Sequence, residues 1–182
     1  MRVLLISLAC IVFGFNTWSS ELTENDKYSV SFNYQMNMTN PAGDFPSSVI
    51  NLSVSPSLIR NDIHEYGGSL SYSVNKTENT IAGTSSESST TSLSGFYRYN
   101  MPISDSNAKN PLIGYAGPQV GMTSIKAGNT TASNPSAGAQ IGLNMMLSQN
   151  IAINFHILQF DTVFATETQL LLTQSIGVKY YF

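Results

Sequence analysis

The sequence predicts an all-β protein, an eight-stranded antiparallel up-and-down transmembrane β-barrel that follows an N-terminal signal peptide. Three observations carry this expectation. Apolar and polar residues alternate strictly over segments of about ten residues, the length a strand needs to cross a lipid layer. A short apolar run stands at the N-terminus, and only 10% of the 182 residues are charged although 42% are hydrophobic. A soluble domain normally carries about 25% charged residues. A disordered chain combines low hydrophobicity with high net charge, whereas this one has nine Tyr, nine Phe and a formal charge of -3. The chain therefore folds, with a polar surface made of Ser, Thr, Asn and Gln. No basic excess or stripe is present, which argues against a nucleic-acid partner.

The first element is the leader. Met1-Arg2 precedes an apolar run from Val3 to Phe15, followed by Asn16-Thr17-Trp18-Ser19-Ser20 and the acidic Glu21-Leu22-Thr23-Glu24. A short positive start, an apolar core and small residues before a cut form a secretory signal. Thr17 and Ser19 have the small side chains wanted three and one residues before cleavage. The expected division is thus residues 1–19 as signal peptide and 20–182 as barrel. A permanent membrane helix needs about 20 apolar residues, more than this run offers. Cys10 is the only cysteine, and Ser7-Leu8-Ala9-Cys10 leaves a lipoprotein reading open. That alternative would leave Ile11 to Phe15 apolar on the mature chain.

The strands follow in order. Between 28 and 38, Tyr28, Val30, Phe32, Tyr34, Met36 and Met38 alternate with Ser29, Ser31, Asn33, Gln35 and Asn37. This is the period of a strand, not of a helix. Ile50, Leu52, Val54 and Leu58 alternate with Asn51, Ser53, Ser55 and Ser57, and Leu70, Tyr72 and Val74 with Ser69, Ser71, Ser73 and Asn75. A fourth strand near 91–101 has Leu93, Tyr97 and Tyr99 opposite Ser92, Ser94 and Arg98. In the fifth, near 112–123, Ile113 and Tyr115 share one phase while Val120 and Met122 share the other, so a bulge is expected near Pro118. Pro56 also requires a bulge or a strand end, because proline cannot donate to a ladder. The sixth carries Ile141, Leu143, Met145 and Leu147. Ser148-Gln149-Asn150 turns into Ile151, Ile153, Phe155 and Ile157, and the eighth carries Leu170, Leu172, Ile176, Val178, Tyr180 and Phe182.

Connections alternate in length, as barrels of this class require. With the N-terminus in the periplasm, upper loops are expected near 39–47, 77–90, 124–136 and 159–167, and lower turns near 61–65, 102–110 and 148–150. Tyr28, Tyr66, Tyr97, Tyr99 and Tyr180 then gather at the periplasmic rim as an aromatic girdle.

Ile176-Gly177-Val178-Lys179-Tyr180-Tyr181-Phe182 resembles the C-terminal sorting signal of bacterial outer-membrane barrels, with Ile176, Val178, Tyr180 and Phe182 as its alternating apolar positions. In that family the segment is read by the barrel-assembly machinery. With the leader and eight strands, the chain resembles the small barrels of the opacity-protein and outer-membrane-protein-X type. That resemblance implies the bacterial outer membrane as location and lipid and lipopolysaccharide as neighbours. It also implies a role in adhesion, host contact or envelope contact for the extracellular loops.

An eight-stranded interior is only wide enough for side chains to fill. The expected lumen residues include Asn33, Gln35, Ser53, Ser71, Arg98 and His156, with Lys27, Lys76 and Lys179 as further inward cations. Family members with a charged interior network have more inward ions than this. The expectation is a lumen bridged partly by water, with Arg98 bonded to carbonyls and amides rather than to a carboxylate.

Catalytic and metal chemistry find little support. His156 lies on the inward phase with Leu158 two residues on, where the lipid A deacylase barrels resemble this fold but carry a Ser on the lipid face. A nucleophile must lie within reach of its base. His64 sits in a lower turn with Asp62 and Glu65, whereas palmitoyl-transferring barrels carry an upper-loop His. Two distant histidines make no metal centre, and no cofactor is expected. Asp44, Glu78, Glu87, Asp161 and Glu167 fall in expected upper loops, where they are solvated or meet a cation bridging lipopolysaccharide. Residues 84–91 and 129–134 read as exposed Ser/Thr-rich loop tips. The expected protein is a non-enzymatic barrel that displays its loops, with a narrow porin-like passage for small solutes as the alternative and a lipid-modifying enzyme as a remoter one.

Overall fold

Alternation becomes pleat. In the computed structural model, which describes residues 26–39, 47–79, 84–105, 108–165 and 168–182, every long alternating segment is a strand. These are β1 (Lys27–Thr39), β2 (Ser47–Arg60), β3 (His64–Asn79), β4 (Thr84–Pro102), β5 (Leu112–Ala127), β6 (Thr130–Met146), β7 (Ile151–Val163) and β8 (Gln169–Tyr181). Each pairs antiparallel with the next, and β8 returns to β1 to close the barrel. A closed ladder is the one way a sheet satisfies its backbone in lipid. The leader and its cleavage point lie outside the described residues, as do Asp44 and Glu167.

The outward phase is an apolar belt. Phe32 is 61% exposed, Leu93 59%, Val120 63% and Leu172 65%. Apolar surface on this scale is not left in water. It is matched to the hydrocarbon of a bilayer, and no helix among the described residues is long and apolar enough to cross one. At the lower end Tyr66 and Tyr97 lie 5.2 Å apart by ring centroid, and His64 stands between Tyr97 and Tyr99 at 6.1 and 5.9 Å. Tyr180 meets Phe182 edge-on at 4.8 Å, while Tyr28 is half-buried opposite Leu58.

The upper connections differ from expectation. Residues 77–79, 84–90, 124–127, 130–136 and 159–163 are strand rather than loop. Between β5 and β6 only Gly128-Asn129 turns, with Gly128 at φ 58°. Glycine tolerates that left-handed backbone without a Cβ clash. These segments escape a search for apolar alternation because they are mostly polar at successive positions. Cross-strand polar pairs hold them instead: Lys76 faces Glu87 at 3.4 Å, and Ser124 bonds Ser133. At the lower end Asn61 and Asp62 take positive φ of 53° and 59°, which their short polar side chains tolerate. This compresses the turn and frees His64 and Glu65 to begin β3.

Register supplies two further corrections. β5 keeps one phase through Pro118, which faces Ala139, and no bulge forms there. Tyr115 is inward, so it shares its phase with Gln119 and Thr123. Pro56 and Pro118 interrupt the ladder on one side only, without shifting it: Val54↔Leu70 resumes at Ser57↔Gly67, and Phe96↔Gln119 at Tyr99↔Ala116. The bulge lies instead in β7, where the register shifts after His156 against both neighbours. Ile157 and Leu158 are adjacent and both exposed, and beyond them the odd residues Gln159, Asp161 and Val163 turn inward.

Candidate functional site in the barrel lumen

The inward phase of the eight strands builds a lumen with different contents at each height. At the lower end Ile59, Ala152 and Tyr181 are buried together with Met146 packed against them. This apolar floor is followed by a layer of buried ions and aromatic rings, and then by a polar cup that fills the outer half.

The ionic layer centres on Glu65, which begins β3 and points inward. Its Oε2 accepts from Lys179 Nζ at 2.7 Å and its Oε1 from Arg98 Nη1 at 3.1 Å. Ser57 Oγ donates a further bond at 2.8 Å. Glu65, Arg98 and Lys179 are 0%, 1% and 0% exposed. The expectation that Arg98 lacks a carboxylate partner is therefore wrong. Assigning Glu65 to the turn hid the acid. Lys27 and Lys76, also expected inward, are exposed and pair with Asp62 and Glu87 at 2.7 and 3.4 Å.

Arg98 is held on every side. Its Nε and Nη2 both donate to Gln140 Oε1, at 3.0 and 2.7 Å. Its guanidinium lies 4.1 Å from the centroid of Phe96 and 4.7 Å from that of Tyr115, a double cation–π contact. Rings of this size fit because glycines face them across the ladder: Phe96 is opposite Gly67 and Tyr115 opposite Gly142. A Cβ on Gly67 would meet the Phe96 ring at 2.5 Å, and one on Gly142 would strike the Tyr115 hydroxyl. Tyr115 Oη donates to the Phe155 carbonyl at 3.3 Å and accepts from Asn154 Nδ2 at 3.3 Å. Asn154 also donates to Asn144 Oδ1 at 2.6 Å. Salt bridges buried to this degree gain from further hydrogen bonds, which Gln140 supplies to Arg98 and Ser57 to Glu65.

Above this layer lies a cavity of about 410 Å³ lined by Asn33, Gln35, Ser53, Ser71, Gln140 and His156 among others. Asn33 Nδ2 donates to Ser53 Oγ at 3.3 Å. The two charged groups on its walls, Arg98 and Asp161, are engaged: Asp161 stands on β7, not in a loop, and accepts from Gln119 and Gln159. His156 is buried edge-on to Tyr115 at 5.6 Å, and its Nδ1 has no partner among the described residues. His64 Nδ1 and the Tyr97 hydroxyl share a bond of 2.9 Å at the lower rim. Ile176, Val178, Tyr180 and Phe182 all stand on the outward phase of the last strand and its end.

The structure is similar to neisserial surface protein A, with a TM-score of 0.57 at 12% identity over 87% of this chain and 98% of that one. The outer membrane protein Ail of Yersinia pestis, in a phospholipid nanodisc, aligns at 0.48 with 16% identity over 86% and 99% of the two chains. The outer membrane protein OprG of Pseudomonas aeruginosa aligns at 0.47 with 10% identity over 87% and 96%. No protein-family model and no curated protein sequence matches the chain. The fold is the small outer-membrane β-barrel, and the apolar belt is the surface by which such a barrel sits in the outer membrane.

Proposed function

We propose that this protein is a display barrel of the outer membrane, whose extracellular strand ends and loops meet host, neighbouring cell or envelope while the barrel holds them in place. The observation that carries this reading is the locked lower lumen. Arg98 clamped between Phe96 and Tyr115, with Glu65 and Lys179 beneath and an apolar floor below them, leaves no side chain there free to yield to a passing solute. A porin-like passage needs an interior open from end to end, and an eight-stranded barrel is narrow enough for one layer of large side chains to close it. The long hairpins β3–β4 and β5–β6 above the lipid, rich in Ser and Thr hydroxyls, are the surface offered for contact. No catalytic role is assigned to His64 or His156, since each is engaged with tyrosine rings rather than with a nucleophile.

On the same reading, residues 1–19 direct export and are removed. Ile176, Val178, Tyr180 and Phe182 are the positions read by the barrel-assembly machinery, and lipopolysaccharide surrounds the outer half. Single-channel recording of the refolded protein in a planar bilayer tests the display reading. The expected trace is silent although folded protein is present. Reproducible conductance steps would instead make it a pore.

A further inference from the structure

The geometry points to the outer lumen as a binding site for a neutral, hydroxyl-rich group of sugar size. Its volume of about 410 Å³ lies within the range of small-molecule pockets, about 300–1,000 Å³. The chemistry of the walls selects the ligand. Because Arg98 can only donate, it fixes Gln140 Oε1 toward itself, so Gln140 Nε2 faces away and has no partner among the described residues. Asn33 Oδ1 and His156 Nδ1 are likewise unpartnered there. All three side chains are more than nine-tenths buried and line the cavity. Those three atoms are enclosed in the wall, and the groups open to an occupant are the hydroxyls of the cup, among them Ser53, Ser71, Ser73, Thr90 and Ser92, which call for an occupant that donates and accepts. Hydroxyl groups do both. A charged ligand gains little, because Arg98 has its counter-ion in Glu65 and both carboxylate oxygens of Asp161 already accept from the amides of Gln119 and Gln159.

Two sources of such a group are open, and the barrel wall makes the second of them available. Among the described residues β1 and β8 pair only between Ser29–Tyr34 and Ile176–Tyr181. Their far sides continue, β1 with β2 to Thr39↔Ser47 and β8 with β7 to Val163↔Gln169. Above Tyr34 the seam is therefore unladdered, and Leu170, Leu171, Leu172 and Thr173 of β8 border the cavity at that edge. Leu170 and Leu172 belong to the lipid-facing phase. A sugar can enter free from the outer end, or as the head of an amphiphile whose chain stays in the outer leaflet beside these leucines.

The experiment is a titration of the refolded protein in phospholipid nanodiscs, read by the side-chain amide resonances of Gln140 and Asn33 and the ring resonances of His156. Glucose is the free probe and octyl glucoside, below its micelle concentration, the lipid-borne one. Saturable shifts with glucose support the site with a free ligand. Shifts with octyl glucoside alone support it with entry through the seam. The Ser53→Phe/Ser71→Phe variant, or Ser73→Phe alone should that one not fold, is expected to remove the response. Absence of shifts with both probes, or shifts that persist in a folded cup-filling variant, overturns the proposal.

Discussion

The lower and upper halves of the lumen are made by the same pleat and differ in almost everything else. Below, Glu65, Arg98, Lys179, Tyr115 and Phe96 contact one another among smaller residues such as Ser57, Asn144 and Asn154, with a glycine where a ring needs room. Above, they are mostly Ser, Thr, Asn and Gln around a cavity. The contrast teaches that barrel closure does not dictate lumen content. An interior of this width is filled where the chain spends large side chains and left open where it spends hydroxyls. Stability should follow the same division, since only the lower half buries charge.

The largest expected effect comes from removing the shared acid. Glu65→Ala leaves Arg98 and Lys179 buried without a carboxylate, and breaking a buried pair in this way costs about 3–5 kcal/mol. A urea titration in detergent, followed by the gel mobility of the folded band, checks it. A midpoint equal to wild type would break the comparison at its strongest point. Gly142→Ala comes next. Its Cβ would strike the Tyr115 hydroxyl and the Phe155 carbonyl, so overpacking of about 1–3 kcal/mol is expected in the same titration.

How much of this division was legible in the sequence depends on whether a residue announces its phase. The strands below the outer interface did so, because lipid demands an apolar residue at every second position. Tyr115 did not, since an aromatic on a barrel strand reads as lipid-facing, and the phantom bulge at Pro118 followed from that. The true bulge in β7 had a signal in the adjacent Ile157-Leu158, which breaks strict alternation. Glu65 was lost by two residues of turn. The site's best clue was Phe96 on the polar phase two residues from Arg98, with glycines at 67 and 142 on neighbouring inward faces. The upper strands had no signal of this kind, because Ser/Thr hairpins in water need no apolar face.

A smaller effect sharpens the contrast further. Arg98→Lys keeps the charge but loses the fork on Gln140 and the flat contact between Phe96 and Tyr115. A loss of about 1.5–3 kcal/mol is expected, from the charge-assisted bonds alone. The smallest effect belongs to the cup: Ser71→Ala, on its wall, should change stability by no more than about 0.5 kcal/mol. A large loss there would mean that the upper lumen is a structural core after all.

The two halves are compared most directly by cysteine labelling in sealed liposomes. Ser73→Cys places a thiol on the cup wall, and Ser57→Cys places one beside Glu65 in the lower layer. A water-soluble, membrane-impermeant thiol reagent added from the extracellular side is expected to modify the cysteine at 73 rapidly and to leave that at 57 intact. Equal labelling of both would contradict a lumen locked below and open above.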